Sequence, residues 1–110
     1  MAYDEQLAAR IREAVDGEPG LSEKRMFGGL AFLVHGNMAV AASGQGGLMV
    51  RADPAEAEEL TALPGVDRMV MRGRAMDGWL RVDTDVVAGD EALRRWIDVG
   101  LGAARALPPK

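Results

Sequence analysis

The sequence predicts an α+β domain of two layers, an antiparallel sheet with helices packed against it. Three observations carry that reading. Apolar residues recur at helical spacing in three separate segments, 4–16, 54–63 and 90–107. Short apolar runs of strand length lie between them, punctuated by glycine. The resulting order is a helix, three or four strands, a helix, two strands and a helix, which keeps helices and strands in separate layers.

The first helix is expected over 4–16, with Leu7, Ile11, Ala14 and Val15 on one face. Asp4 can cap its start, because a carboxylate accepts from the unpaired N–H groups of a first turn. Gly17 suits its end, where a left-handed residue terminates the helix. A meander then follows. Lys24 to Phe27 reads as a short first strand, Leu30 to His35 as a second, Met38 to Ala42 as a third and Leu48 to Ala52 as a fourth. Gly36-Asn37 is the expected hairpin turn, since both residues tolerate positive φ. The glycine-rich segment 44–47 makes the next one.

Asp53-Pro54 opens the second helix: an acidic cap, proline at the first helical position, and Glu56 at capping-box spacing. Ala57, Leu60 and Leu63 form its apolar stripe, and Pro64-Gly65 ends it. Arg68 to Met71 and Trp79 to Val82 read as strands joined by a loose turn over 72–78. The last helix is expected over 90–107, capped by Asp90, with a wide apolar stripe from Leu93 to Leu107. Gly100 and Gly102 lie inside it at ~1 kcal/mol each against alanine, a cost that close packing on the sheet would offset.

A chain of 110 residues fits a single domain spanning 1–110. At this size roughly 65% of the unfolded surface is buried, enough for one modest core. The absence of cysteine excludes a disulfide scaffold, a thiolate zinc site and a cysteine nucleophile. No apolar run approaches the ~20 residues of a membrane helix. The polar start of the chain carries no signal-peptide pattern, so a cytoplasmic protein is expected.

The net charge of −4 hides a pattern. Segment 1–23 has six acids and two bases, and segment 53–67 has five acids and no base. Segments 24–52 and 68–81 each carry a balance of +3. The acidic blocks fall on expected helices and the basic blocks on expected strands, so an acidic chain can still present a basic sheet.

Several segments carry a family resemblance. Lys24-Arg25-Met26-Phe27-Gly28-Gly29-Leu30-Ala31-Phe32 resembles the start of the N-terminal domain of the TfoX/Sxy family. Gly36 to Val40, Leu48 to Arg51, Gly78-Trp79 and the closing Ala106 to Lys110 resemble it too, in the same order along the chain. The resemblance implies a fold like that of the secretion-chaperone group, with order α-β3-α-β2-α. It also implies a regulator and not an enzyme: founders of the family govern natural competence together with a cyclic-AMP-responsive activator at promoters. Those founders carry a C-terminal domain in addition, so this chain is expected to be a stand-alone member.

The chemistry-bearing residues agree with a non-enzymatic reading. His35 is the sole imidazole, and neither Ser22 nor Ser43 lies in a nucleophile motif. Asp83-Thr84-Asp85 starts like a calcium loop, but Val87 and Arg94 stand where oxygen ligands belong. The glycine clusters precede strands and not helices, which suits tight turns better than phosphate cradles. No metal and no cofactor is expected.

The stretch from Arg68 to Arg74 is the best binding candidate. Arg68, Arg72 and Arg74 offer guanidinium groups suited to oxyanions, with Phe27 and Trp79 as neighbouring aromatic surface. Most of the six internal methionines are expected in the core, although apolar residues on both faces of Leu30 to Val34 and Met69 to Met71 suggest a second covered face, by a second copy or a partner. The function expected is therefore a regulatory or interaction module, monomeric or homodimeric, working through a protein partner such as a transcription activator. Direct nucleic-acid binding through a basic sheet is the alternative, and no membrane is involved.

Overall fold

The computed structural model describes residues 3–26, 28–71 and 73–109, with the backbone alone for Met71 and for 74–77. Its elements run α1 (Glu5–Val15), β1 (Leu21–Met26), β2 (Gly29–Val34), β3 (Asn37–Ala42), β4 (Leu48–Arg51), α2 (Pro54–Leu60), β5 (Val66–Met71), β6 (Arg74–Val82) and α3 (Asp90–Arg105). All six strands form one antiparallel sheet in the order β1-β2-β3-β4-β6-β5. The last hairpin thus joins the meander through β6, and β5 lies at the far edge.

Local chemistry accounts for most boundaries. Asp4 caps α1 by accepting from the N–H groups of Gln6 and Leu7 at 2.9 and 3.1 Å. Gly17 takes φ +87° just past the helix. Asp53 accepts from Ala55 N at 2.9 Å and Pro54 follows as the first residue of α2. The β2–β3 turn differs from expectation by one residue. Val34 pairs with Asn37, so His35 and Gly36 form the two-residue loop, with φ +50° and +85°. Histidine accepts the left-handed position because its ring rests on Gly20, where no Cβ intervenes, and its N–H donates to Gly20 O at 3.0 Å. Asn37, no longer a turn residue, is buried, and its Nδ2 donates to Pro108 O at 2.9 Å, tying the end of the chain to the sheet.

Three further boundaries move. β6 begins at Arg74, so most of the expected loose turn over 72–78 is strand. β5 bulges between Arg68 and Val70, and this shift keeps the hairpin paired out to Met71 and Arg74. Gly89, not Asp90, is the N-cap of α3, and it offers no side-chain cap. Asp90 instead receives Arg10 Nη2 at 3.0 Å, while Arg10 also donates to Val87 O and Ala88 O, holding α1 to the loop before α3. The helix ends at Arg105, so Leu107 lies outside it. α2 ends at Leu60, which leaves Leu63 off the helical stripe and 47% exposed.

α1 and α3 cover one face of the sheet. Ile11, Phe32, Val40, Leu48, Leu80 and Ile97 are fully buried between them. Gly100 sets the distance: a Cβ there would come 2.5 Å from Ala39 O, so glycine lets α3 rest directly on β3. Gly102 has no such neighbour, with nothing within 4 Å of an added Cβ, and the close packing expected for it is absent.

The other face carries a second, smaller core of Ala31, Met38, Ala41, Met49 and Met69, with Met26, Leu33 and Trp79 packed around it. Every member is a strand residue. Four of the internal methionines therefore collect on one face, where a flexible thioether can fill a curved surface. Met38, Met49 and Met69 are only 5–9% exposed, so they are already covered within the monomer.

Candidate functional site

Register brings the site together. Arg51 ends β4 and lies directly opposite Trp79 of β6. Opposed residues of an antiparallel pair share a face, and here it is the methionine face, against which Trp79 packs. The Arg51 guanidinium carbon sits 4.2 Å from the centre of the Trp79 ring, in cation–π contact. Its Nε donates to Met38 O at 2.7 Å, which fixes the plane of the group. Burial pushes the Arg51 pKa down. Among the described residues no carboxylate pairs with it, whereas Arg10, Arg12, Arg81 and Arg105 each hold one at 3.0 Å or less.

Arg51 and Trp79 line a groove of about 670 Å³. The chain turns from β4 straight into α2 through Asp53 and Pro54, and this sharp entry makes one wall. Asp98, Val99, Gly102 and Ala103 of α3 line the groove as well, with Ala106 and Leu107 just beyond the helix. A much smaller pocket of about 40 Å³ opens among Met26, Met38, Met49 and Met69.

Of the sequence-predicted candidates, Trp79 and Arg68 have described side chains. Trp79 is half-buried in this groove. Arg68 is exposed on β5 and pairs in register with Leu80, a core residue beneath the helices, so it lies on the face opposite Trp79. Phe27 and Arg72 fall outside the described residues, and so does the side chain of Arg74, whose backbone pairs with Met71. Arg51 is absent from the candidates that charge clustering selects. Its signal is its phase: Met49 and Arg51 alternate with Leu48 and Val50, which are core. Only the β4–β6 register, invisible in the sequence, sets it against Trp79.

His35 is exposed on its turn, and Ser43 Oγ accepts from Gln45 N at 3.1 Å. Among the described residues no group of three or more His, Asp or Glu is placed to hold a metal ion. Asp83 is engaged by Arg81 at 2.6 Å. No described helix is long and apolar enough to cross a membrane.

In comparison with family models, residues 13–104 match that of the TfoX N-terminal domain. The chain belongs to this family. The match spans every strand, all of α2 and nearly all of α3, so the Arg51–Trp79 pair lies within it, while Ala106 and Leu107 of the groove lining fall just beyond it. No curated protein and no solved structure matched the chain.

Proposed function

We propose that this TfoX N-terminal domain is a non-enzymatic regulatory module of the cytoplasm that works by holding a protein partner in the Arg51–Trp79 groove. The observation that carries the reading is the state of Arg51. It is a half-buried cation that lines the groove, oriented by an aromatic ring and a carbonyl and in ion-pair contact with no carboxylate among the described residues. Keeping such a group out of water is costly unless something compensates it. The groove volume falls within the range of about 300–1,000 Å³ typical of ligand sites. The resemblance to competence regulators suggests a transcription activator as the partner.

Direct nucleic-acid binding is less well supported. The net charge is −4, and four described arginines are bound to carboxylates of the same chain at short range. Phosphate-driven binding needs cations available for counterion release.

The reading is tested by affinity capture from extracts of the source cells with wild-type, Arg51→Gln and Trp79→Ala baits, alongside anisotropy titrations with labelled duplex DNA. A defined set of proteins lost from both variants, with no salt-sensitive DNA binding, is the expected result. Identical protein sets on all three baits, or DNA binding that weakens steeply with salt, would overturn it.

A further inference from the structure

We infer that the occupant of the groove is a peptide segment carrying one carboxylate beside basic side chains: the carboxylate seats on Arg51 and a basic group meets the acidic rim. This inference rests on the protein-contact reading and specifies the chemistry of the partner. Arg51 has one edge already committed, since its Nε donates to Met38 O. Its two terminal nitrogens keep their donors, and the two N–H groups that face one another between them form a planar fork suited to a carboxylate.

The rest of the groove has the opposite sign. Asp53, Glu56 and Asp98 line it, so the described lining holds three acids against one cation. Asp98 leans toward Arg94 only at 3.8 Å, and Glu56 has no ion pair among the described residues. A phosphate, with its higher charge, would meet three carboxylates for one arginine. A segment with one carboxylate and flanking lysine or arginine matches both the cation and the carboxylates of the lining.

Gly102 adds a steric argument. In a helix interior glycine is unfavourable, and nothing in the fold requires it here, in contrast to Gly100. It lies on the groove wall beside Ala103 and Ala106, where the missing side chain lets another backbone come close.

The test uses the full chain, labelled with nitrogen-15, and two capped pentapeptides, Ac-KLELK-NH2 and Ac-KLQLK-NH2. Binding is followed through the Trp79 indole N–H and the Gly102 amide, and the same spectra report whether each variant is folded. The glutamate peptide is expected to bind about tenfold more tightly than the glutamine peptide, in keeping with the greater strength of charge-assisted hydrogen bonds. Arg51→Lys, which keeps the charge but loses the fork, should remove most of that ratio, and Gly102→Leu should weaken both peptides. Equal affinities for the two peptides, a ratio that survives in Arg51→Lys, or no shift at either reporter would each overturn the inference. Such a result alongside capture that still depends on Trp79 would leave the protein-contact reading standing and remove only this one.

Discussion

Gly100 and Ala39 are in contact across the helix–sheet boundary, and an added Cβ on Gly100 would lie 2.5 Å from the Ala39 carbonyl oxygen. Two residues on, the same helix carries Gly102 with open space above it. One helix therefore holds two glycines for different reasons. The first lets α3 approach β3, and the second opens the groove wall.

Alanine at these positions should act in opposite directions. Gly100→Ala forces α3 away from backbone that has no room to yield, so it should destabilise by about 1–3 kcal/mol, the range for overpacking. Gly102→Ala relieves the helical penalty and should stabilise by about 0.5–1 kcal/mol. Urea denaturation of both variants checks the pair. A destabilised Gly102→Ala would mean that the groove wall is already in contact with something.

The end of α3 depends on an ion pair with a definite pH response. Arg105 Nε donates to Glu18 Oε2 at 3.0 Å, and Nη2 holds the second carboxylate oxygen. This hydrogen-bonded pairing lowers the Glu18 pKa below its ordinary value. The unfolded chain therefore binds a proton at Glu18 more readily than the folded one does. The contribution is complete above the ordinary glutamate pKa and is lost as pH falls through the lower folded value. Glu18→Gln should cost about 1 kcal/mol at pH 7, since Arg105 is half exposed and screened by solvent. The gap to wild type should close in acid. A gap that stays constant as the pH falls to about 3, below the ordinary glutamate pKa, would contradict the assignment.

The methionine face separates packing from docking. Met49 is 6% exposed within the second core. Met49→Ala should cost about 2–5 kcal/mol, and Met49→Leu less than about 1.5 kcal/mol. Partner capture by Met49→Leu should match wild type, because the side chain is covered within the monomer. Capture lost in a stable Met49→Leu would move the contact from the groove to the methionine cluster.

Some of this architecture can be read directly from residues and some cannot. Asp4 and Asp53 are legible because a cap acts on N–H groups two or three residues away, whereas α2 ends at Leu60, ahead of the expected stop at Pro64-Gly65. Register depends on distant partners. The β2–β3 turn settles on His35-Gly36 because Gly20, far back along the chain, makes room for the imidazole. Likewise β6 runs on to Arg74 because a bulge in β5 maintains pairing. Charge clustering draws attention to the segment from Arg68 to Arg74, of which Arg68 lies on the face opposite Trp79. Arg51 stands alone among apolar residues in the sequence, and it gains its role only from Trp79 across the ladder.

The most direct measurement is photo-crosslinking in living cells with p-benzoylphenylalanine in place of Leu107 in the groove lining and, as a control, of the exposed Leu63, which does not line it. If the groove holds a protein partner, position 107 gives discrete protein adducts that disappear when Arg51→Gln is added, and position 63 gives none of them. Adducts to nucleic acid, or protein adducts common to both positions and indifferent to Arg51, would contradict it.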